Sequence, residues 1–361
     1  MQNNTTTAPL RAGVIGLGWA GETHLKSYKA LPGVEVIAIA DISASRREEI
    51  ASAYNIPFQY ENFEELALRD DLDVISIATP NYLHAPAAVA ALSSGKHVLS
   101  EKPLAHTLEA AESMVRAATA HNRVLHVAFN HRQRGDVQTL KRYIDDGGLG
   151  RTYHAKAYWM RRSGIPGMGG WFTNKETAGG GPLIDLGVHV LDMALFLLGE
   201  PEVASVSAAT YSELGARGRG GWSDKREIRD GGFDVEDLAT GFIRFTDGST
   251  LALDASWASY GRHWDDYGVE LYGTDGGAHI DIRSYANENT LTIYTDAAGT
   301  PAELRPRVSR GEGHFAVVKN FIDTVRAGDY VAHNGSEGLK RTRIIDACYR
   351  SAAEGHEIVL E

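Results

Sequence analysis

Short apolar runs alternate with helical patterns over the first 130 residues of this 361-residue chain. The runs cover residues 12–15, 34–40, 74–78, 97–100 and 124–129. Each has the length and apolar character of a strand that is buried on both faces. This alternation predicts a doubly wound parallel sheet, and ligands of such sheets bind beyond the carboxyl ends of the strands.

A glycine-rich segment at residues 16–21, Gly-Leu-Gly-Trp-Ala-Gly, follows the first run and precedes a helical pattern. Three glycines at this spacing allow a tight turn and let backbone N–H groups approach a pyrophosphate at the helix N-terminus. The placement between a strand and a helix carries more weight than the spacing alone. The residues expected to bind a dinucleotide here are Gly16, Leu17, Gly18, Trp19 and Ala20.

Asp41 ends the second apolar run, 20 residues after Gly21. An acidic residue at this distance is expected to meet the ribose hydroxyls of the adenosine, and it would repel a 2′-phosphate. Asp41 therefore favours NAD over NADP. NADP stays an alternative because of Arg46 on the following helix, whose guanidinium could reach that phosphate. The same helix carries Ser45 and Glu48 in the arrangement of a capping box.

The other strand ends supply further candidate side chains for the same crevice. Those expected to contact the cofactor are Thr79, Pro80, Asn81, His84, Glu101 and Lys102. Pro103 keeps Lys102 out of the helical region and could allow a cis bond, which would fix the direction of the ammonium group.

The pattern changes after residue 130. A long β-type segment at 151–162 is followed by a glycine-rich loop at 163–181 and by apolar runs at 203–211, 238–245, 250–260, 267–273, 278–282 and 290–295. Asp-Gly turns at 247 and 275 indicate hairpins. Two helices near 312–326 and 336–353 close the chain, and the polar stretch 212–233 is interpreted as a loop or lid.

These patterns predict a disordered tail at 1–10, a Rossmann domain at 11–130 and a second domain at 131–361. The second domain is expected to be an open, mainly antiparallel sheet covered by helices on one face. Trp257, Tyr260 and Trp264 are expected near the other face, where they would form a subunit interface. The chain is therefore predicted to be a homo-oligomer, a dimer or a tetramer.

One apolar stretch, residues 179–192, places chemistry in the second domain. Three glycines lead into Pro182, which suits the first turn of a helix. If the helix begins there, Asp185 and His189 stand four residues apart on one face. Such a pair, surrounded by leucine, isoleucine and valine, is either a buried histidine satisfied by its neighbour or a functional pair.

Composition excludes some partners. A net charge of −11 argues against nucleic-acid binding. The single cysteine, Cys348, allows no intrachain disulfide and fits a reducing cytoplasm. Residues 1–9 have neither the basic start nor the apolar core of a signal peptide, and we expect no apolar run of the ~18–20 residues that span a membrane. We therefore expect a cytoplasmic protein without a membrane partner.

The motifs together resemble the glucose-fructose oxidoreductase/inositol dehydrogenase/MocA family. The resemblance rests on 16–21, Asp41, Thr79-Pro80-Asn81-x-x-His84, Glu101-Lys102-Pro103 and 179–192, and it extends from residue 11 to residue 360. It implies a nucleotide-binding domain, an open-sheet domain and a catalytic trio of Lys102, Asp185 and His189. Family members act on sugars, inositols, sugar nucleotides and other cyclic alcohols. One departure is Phe172 after Trp171, where relatives often carry arginine.

This resemblance implies hydride transfer between a ring hydroxyl of a sugar, glycoside or polyol and a nicotinamide. His189 is the natural base near neutral pH, with Asp185 holding it and Lys102 polarising the reacting oxygen. Alternatively, Lys102 is the base, with its pKa lowered by burial. The redox direction stays open. Besides these three residues, the candidate substrate contacts are Asn130, His131, Arg161, Arg162 and Trp171.

Two other hypotheses belong to different functional classes. A metal enzyme could use Asp185, His189 and Asp192, although no further ligand motif supports it, and we predict no metal. A protein with this fold could instead bind the dinucleotide as a sensor without chemistry. Such a sensor would have no need for Lys102 and His189 together.

Overall fold

The computed structural model describes residues 9–221 and 232–360, and the chain divides into two units. The first unit contains Met1–Ala128 and His314–Leu339, and the second contains Phe129–Gly313 and Lys340–Glu361. The tail predicted at 1–10 falls mostly outside the described residues, and Leu10 already begins the first strand.

The first unit is built on a six-stranded sheet in the order β3-β2-β1-β4-β5-β6, and every neighbouring pair is parallel. This is the strand order of the dinucleotide-binding doubly wound fold, as the sequence predicts. Its strands are β1 (Leu10–Ile15), β2 (Val34–Ala40), β3 (Phe58–Tyr60), β4 (Val74–Ile77), β5 (His97–Ser100) and β6 (Leu125–Val127).

Helices of the first unit contribute to two buried apolar clusters that share the strands of this sheet. The helices are α1 (Trp19–Ala30), α2 (Ala44–Tyr54), α3 (Phe63–Ala67), α4 (His84–Ser93), α5 (Leu108–His121) and α9 (Gly313–Ala327). Side chains of α3, α4 and α5 pack in one cluster, and those of α1, α2 and α9 pack in the other.

The position of α9 differs from the prediction that residues 131–361 form one domain. Its buried residues Val317, Val318, Phe321, Ile322 and Val325 pack in the cluster that contains Val14 and Leu99. An amphipathic helix has an apolar face, but its sequence does not show which sheet that face will cover.

The second unit is built on a nine-stranded sheet in the order β14-β13-β12-β11-β7-β10-β9-β8-β15. Its pairs are antiparallel except β7 with β10, so the predicted mainly antiparallel sheet is confirmed. The strands are β7 (Thr152–Arg161), β8 (Val203–Tyr211), β9 (Leu238–Phe245), β10 (Thr250–Ser256), β11 (Asp265–Gly273), β12 (Gly277–Arg283), β13 (Leu291–Ala297), β14 (Thr300–Leu304) and β15 (Ile358–Val359). β14 was not predicted.

Helices cover one face of this sheet, and α8 packs on β7 and β11. The remaining helices are α6 (Gly135–Asp145), α7 (Lys175–Ala178), α8 (Val188–Leu198) and α10 (Ser336–Glu354), whose first four residues belong to the first unit. Tyr260 and Trp264 are exposed, as predicted, but Trp257 is fully buried. Trp257 points to the helix-covered side because its indole N–H bonds to Asp185.

The stretch Lys175–Leu198 is long and apolar enough to cross a membrane by length and composition, contrary to the expectation from the sequence. In the structure, 78% of its most apolar window is buried inside the protein. A core helix of a globular unit meets the same criterion, and the burial fits that role. The predicted loop at 163–181 contains a short 3-10 turn at Trp171–Thr173 and α7. Much of the loop predicted at 212–233 lies outside the described residues.

Candidate active site

The three glycines of the first loop meet different constraints. Gly16 has a φ of +83°, and a Cβ atom there would clash with the carbonyl of Ala78. At Gly21 a Cβ atom would overlap the carbonyl oxygen of Gly16. At Gly18 a Cβ atom would meet no protein atom within 4 Å. The first and third glycines are therefore required by the protein itself, and the second leaves open space where the motif brings a pyrophosphate close.

The N-terminus of α1 faces this space. Gly18 is the N-cap residue, and no described side chain caps the helix there. The first N–H groups of a helix carry a partial positive charge and favour an anion. Thr79 Oγ1 is also buried and has no hydrogen-bond partner among the described residues. The loop, the helix end and this hydroxyl fit a dinucleotide.

Asp41 is fixed at the end of β2 by two backbone donors. Its Oδ2 accepts from the N–H of Leu17 at 2.8 Å, and its Oδ1 accepts from the N–H of Ser43 at 2.8 Å. The carboxylate thus joins the glycine loop to the start of α2. Ser43, and not Ser45, is the N-cap of α2, because its hydroxyl accepts from the N–H of Arg46. The predicted capping box is therefore wrong.

Arg46 is already held by two carboxylates. Its guanidinium lies 2.6 Å from Glu22 Oε2 and 2.8 Å from Glu49 Oε2, and its Nε donates to the carbonyl of Leu17. These contacts offset the charge that a 2′-phosphate would need.

The segment after β4 is anchored by a histidine. Pro80 precedes a 3-10 turn at Asn81–Leu83, and α4 begins at His84. The ring of His84 is 1% exposed and lies 2.8 Å from the carbonyl oxygen of Pro103 and 2.9 Å from that of Thr79. Burial lowers the pKa of His84. His84 therefore joins two strand ends and supports the loop, whereas its ring is not presented to a ligand.

Glu101 lies buried at the end of β5 beside two histidines. Its Oε1 is 3.1 Å from His24 Nε2 and 3.7 Å from His314 Nε2, and its Oε2 accepts from the N–H of Lys102 at 3.1 Å. Burial acts to raise the pKa of Glu101, but its hydrogen bond with His24 and nearby positive charge outweigh burial and lower the pKa to about 2.

Glu101 therefore supports the main chain of Lys102 as a buried carboxylate. The Lys102–Pro103 bond is cis, as the sequence allows. Neither His24 nor His314 was singled out from the sequence, where an isolated histidine gives no signal.

In the second unit, the helix that carries Asp185 and His189 is not uniform. Leu183–Gly187 forms a π-helical turn, and α8 follows from Val188. The helix expected from Pro182 is present, but its first turns around Asp185 are π-helical and not α-helical. A Cβ atom on Gly187 would lie only 3.3 Å from Ala255 Cβ, so glycine lets this turn lie close to β10. Single π turns within helices occur frequently at functional sites.

Asp185 and the start of this helix are held by residues that flank β9 and β10 in the sequence. The indole Nε1 of Trp257 donates to Asp185 Oδ2 at 2.9 Å. Glu236 is buried and accepts from the N–H groups of Gly181 and Leu183 and from the hydroxyl of Tyr349. Burial raises the pKa of Glu236. The sequence analysis missed both Trp257 and Glu236, which act through contacts distant in sequence.

His189 is buried within a cluster of rings. Its ring centroid lies 4.6 Å from that of His131 and 5.6 Å from that of Trp159, which stacks on Tyr267 at 4.2 Å. Burial raises the pKa of Tyr267 to about 12. Trp159 and Tyr267 were not predicted, although alternation along β7 places Trp159 on the same face as Arg161.

The structure places Arg161 beside this cluster. Its Nε lies 3.0 Å from Asp265 Oδ1, which also accepts from the indole N–H of Trp159 at 2.8 Å. Burial opposes the charge, but the carboxylates of Asp265 and Asp185 help to keep the pKa of Arg161 above its ordinary value. Arg162 is exposed on the surface beside Tyr260 and is not part of the cluster.

The other predicted substrate contacts lie in two places. Asn130 begins the 3-10 turn that carries His131. Trp171 lies in the glycine-rich loop and stacks on Phe172 with ring centroids 3.8 Å apart. Trp171 is thus held by the residue that departs from the family pattern.

The geometry does not support the metal hypothesis. Asp192 is 1% exposed, and its carboxylate is bound by the guanidinium groups of Arg132 at 2.6 Å and Arg341 at 2.9 Å. No group of three or more metal-ligating side chains occurs within the part of the chain that the structure describes.

Comparison with known proteins agrees with these features. Residues 10–129 match the family model described as "Oxidoreductase family, NAD-binding Rossmann fold", and residues 137–279 match the GFO/IDH/MocA C-terminal domain. The chain is 32% identical over 362 residues to D-glucoside 3-dehydrogenase of Escherichia coli, with all of both chains covered. It is 27% identical over 361 residues to myo-inositol 2-dehydrogenase of Thermotoga maritima, with 98% and 99% covered.

A solved structure of levoglucosan dehydrogenase in complex with NADH and levoglucosan is also similar. Its TM-score is 0.84 at 27% identity, with 97% of this chain and 99% of that chain covered. The family match covers both units, and the glycine loop provides the dinucleotide site that this match requires. The chain therefore belongs to the Gfo/Idh/MocA family of NAD-binding oxidoreductases.

Proposed function

We propose that this protein is an NAD-dependent dehydrogenase that acts on a ring hydroxyl of a sugar, a glycoside or a cyclic polyol. The observation that carries the proposal is the buried His189 in its ring cluster, on the helix whose Asp185 is fixed by Trp257. The names of the related sugar and inositol dehydrogenases support the substrate class. When bound, the nicotinamide supplies the hydride acceptor or donor.

In this proposal His189 takes the proton from the hydroxyl as the alcohol is oxidised. An imidazole titrates near neutral pH, and its packing against His131 and Trp159 limits the orientations of the ring. Asp185 accepts a hydrogen bond from the neighbouring substrate hydroxyl. The bond from Trp257 fixes the orientation of this carboxylate.

Lys102 polarises the reacting oxygen and stabilises the developing alkoxide. Its main chain is anchored by Glu101, which keeps the residue at the carboxyl end of β5. The alternative in which Lys102 is the base makes a different prediction for pH dependence. If His189 is the base, His189→Ala loses the low-pH limb of the kcat/KM profile for alcohol oxidation, whereas Lys102→Met retains that limb, and the reverse result identifies Lys102.

We further propose NAD as the preferred cofactor. Asp41 places a carboxylate at the end of β2, which would repel a 2′-phosphate bound there, and Arg46 is engaged by Glu22 and Glu49. Titration with NADH and NADPH, followed by protein fluorescence, tests this directly. Tighter binding of NADPH would contradict the proposal.

The activity is tested with a panel of sugars, glycosides, polyols and inositols, with either NAD or NADP and absorbance at 340 nm. Turnover with one class of ring alcohol supports the proposal and identifies the substrate family. Dinucleotide binding without turnover across the panel would instead support the sensor hypothesis.

We also propose that the protein is a homo-oligomer through the face of the second sheet that its helices leave uncovered. This face carries Lys156, Glu270 and Tyr272, and Tyr272 OH donates to Glu270 at 2.7 Å and accepts from Lys156 at 3.2 Å. Solution scattering gives the mass directly. A mass equal to the 39.2 kDa of one chain would contradict this proposal.

A further inference from the structure

The turn after β12 holds two consecutive non-glycine residues in the left-handed region. Ser284 has a φ of 46° and Tyr285 a φ of 61°. Such a conformation is strained for a residue with a side chain, and it persists only where the surroundings stabilise it. Residues of this kind are concentrated at functional sites, so the contacts of Tyr285 indicate what the turn is for.

Tyr285 is held against the ring cluster of the candidate active site. Its hydroxyl accepts a hydrogen bond from Arg161 Nη2 at 2.8 Å. Its ring lies edge-on to Trp159 at 6.2 Å and to Tyr267 at 5.9 Å between centroids. Trp159 in turn lies 5.6 Å from His189, so one aromatic ring separates Tyr285 from the proposed base.

Exposure distinguishes Tyr285 from its neighbours. Trp159, Tyr267 and Arg161 are 3%, 1% and 7% exposed, whereas Tyr285 is 49% exposed. The three buried side chains form a rigid support, and they offer little surface to a ligand. Tyr285 is the member of this set that a substrate can contact directly.

The chemistry of the contact follows from the charges around it. Arg161 is paired with Asp265, so this edge of the cluster favours a neutral polar group over an anion. Burial raises the pKa of Tyr285, and the nearby Asp265 raises it further while Arg161 lowers it. The phenol is therefore protonated at neutral pH. Its O–H, which Asp265 also attracts, can donate to a substrate oxygen while its own oxygen accepts from Arg161.

We propose that Tyr285 determines substrate specificity by donating a hydrogen bond to a ring hydroxyl other than the one that is oxidised. The strained turn and Arg161 fix the phenol, so the site discriminates between ring alcohols by the position of this second hydroxyl. This assignment rests on the proposed dehydrogenase function. It adds a contact that the sequence motifs do not include.

The test compares Tyr285→Phe with Tyr294→Phe, which removes a hydroxyl from a tyrosine of similar exposure on β13. Both variants and the wild type are assayed with the best ring alcohol of the panel and with its monodeoxy analogues. We expect Tyr285→Phe to lower kcat/KM for the parent alcohol about 3- to 10-fold, the value of one uncharged hydrogen bond. One deoxy analogue should be converted equally well by Tyr285→Phe and the wild type.

A purely structural tyrosine would give another pattern. Tyr285→Phe would then lower kcat/KM by the same factor for every analogue, or would behave as Tyr294→Phe does, and either result overturns the assignment while leaving the dehydrogenase function intact. If the wild type converts no member of the panel, the proposed function fails first, and the assignment fails with it. Melting temperatures of both variants separate a loss of fold from a loss of contact.

Discussion

At Gly18 a Cβ atom would meet no protein atom within 4 Å, whereas at Gly21 it would overlap the carbonyl oxygen of Gly16. The two glycines belong to the same motif, but they are glycine for different reasons. Gly21 is required for α1 to pack against the loop. Gly18 has a φ of −65°, which alanine adopts without strain, so only a ligand would exclude a methyl group there.

Gly18→Ala is therefore expected to fold normally and to bind the dinucleotide poorly. Its melting temperature should stay within about 2 °C of the wild type, because no protein contact changes. NADH affinity, measured by fluorescence titration, should fall by about 10-fold or more because the methyl group occupies the space of the pyrophosphate. Gly21→Ala serves as the contrast and should lose thermal stability. Unchanged affinity in Gly18→Ala would show that the pyrophosphate lies elsewhere.

The buried Glu101 should make the protein sensitive to acid. Its pKa falls from 4.5 to about 2 in the folded state, so its contribution to stability is present above pH 4.5 and is lost as the pH falls towards 2. The linkage amounts to a free energy on the order of 3 kcal/mol. We expect urea unfolding to show that the stability advantage of the wild type over Glu101→Gln shrinks between pH 5 and pH 3. An advantage that does not change over this range would mean that Glu101 is not stabilised as a carboxylate.

At the scale of elements, the helix that carries Asp185 and His189 depends on the residues that hold its start. Glu236 accepts from the N–H groups of Gly181 and Leu183, which lie at the end of the helix where donors have no partner within the helix. The π turn follows directly, so a shift of this end would move Asp185.

Glu236→Ala is expected to destabilise the protein by about 2–4 kcal/mol, because it leaves buried donors without an acceptor. Chemical denaturation measures this loss. Tyr349→Phe is the matched variant and should destabilise the protein less, since it removes one donor to Glu236 and keeps the carboxylate in place. Equal stability of Glu236→Ala and the wild type would contradict the role of the carboxylate.

Local patterns in the sequence predicted most of the elements but not their irregularities. The glycine loop, Asp41 and the Glu101-Lys102-Pro103 segment follow strands in sequence, so their position at one edge of the sheet could be inferred. The π turn could not be inferred, because residues 183–198 are apolar except for Gly187 and the polar Asp185, His189 and Asp192, and nothing in this pattern marks a change of helix type. Trp257, placed on the wrong face, follows β10 where the alternation of a strand no longer applies.

The candidate site also contains residues that the sequence predicted and residues that it did not. Lys102, Asp185 and His189 were identified from motifs and from the family resemblance. The side chains that contact them or their neighbours, such as Trp159, His24 and Tyr285, come from distant parts of the chain, and only folding brings them near. Their sequence context gives no periodicity or spacing that would single them out.

At the scale of the whole molecule, the chain returns to the first unit through α9, and the packing of this helix should contribute measurably to stability. Phe321 on α9 is fully buried in the cluster that also contains strands β1, β2 and β5. Phe321→Ala should destabilise the protein by about 3–5 kcal/mol through loss of apolar contact and a cavity. At a moderate denaturant concentration, the apparent affinity for the dinucleotide should fall in proportion to the fraction of molecules whose first unit is still folded.

One control makes this prediction specific. Phe315→Ala changes a phenylalanine at the edge of the same cluster that is only partly buried, and it should cost less. If Phe321→Ala unfolds with the wild-type midpoint, α9 is not part of the core of the first unit.

The place of α9 also affects how the protein is made. A ribosome delivers residues 1–128 first, and roughly 185 more residues must follow before α9 appears, which takes about 10–40 s at ordinary rates of synthesis. During that interval Leu25, Ile39 and Leu99 lack the helix that later packs in their cluster. Nascent chains should therefore offer an apolar surface to chaperones until translation is nearly complete, and a gene shortened before codon 314 should yield an aggregating product.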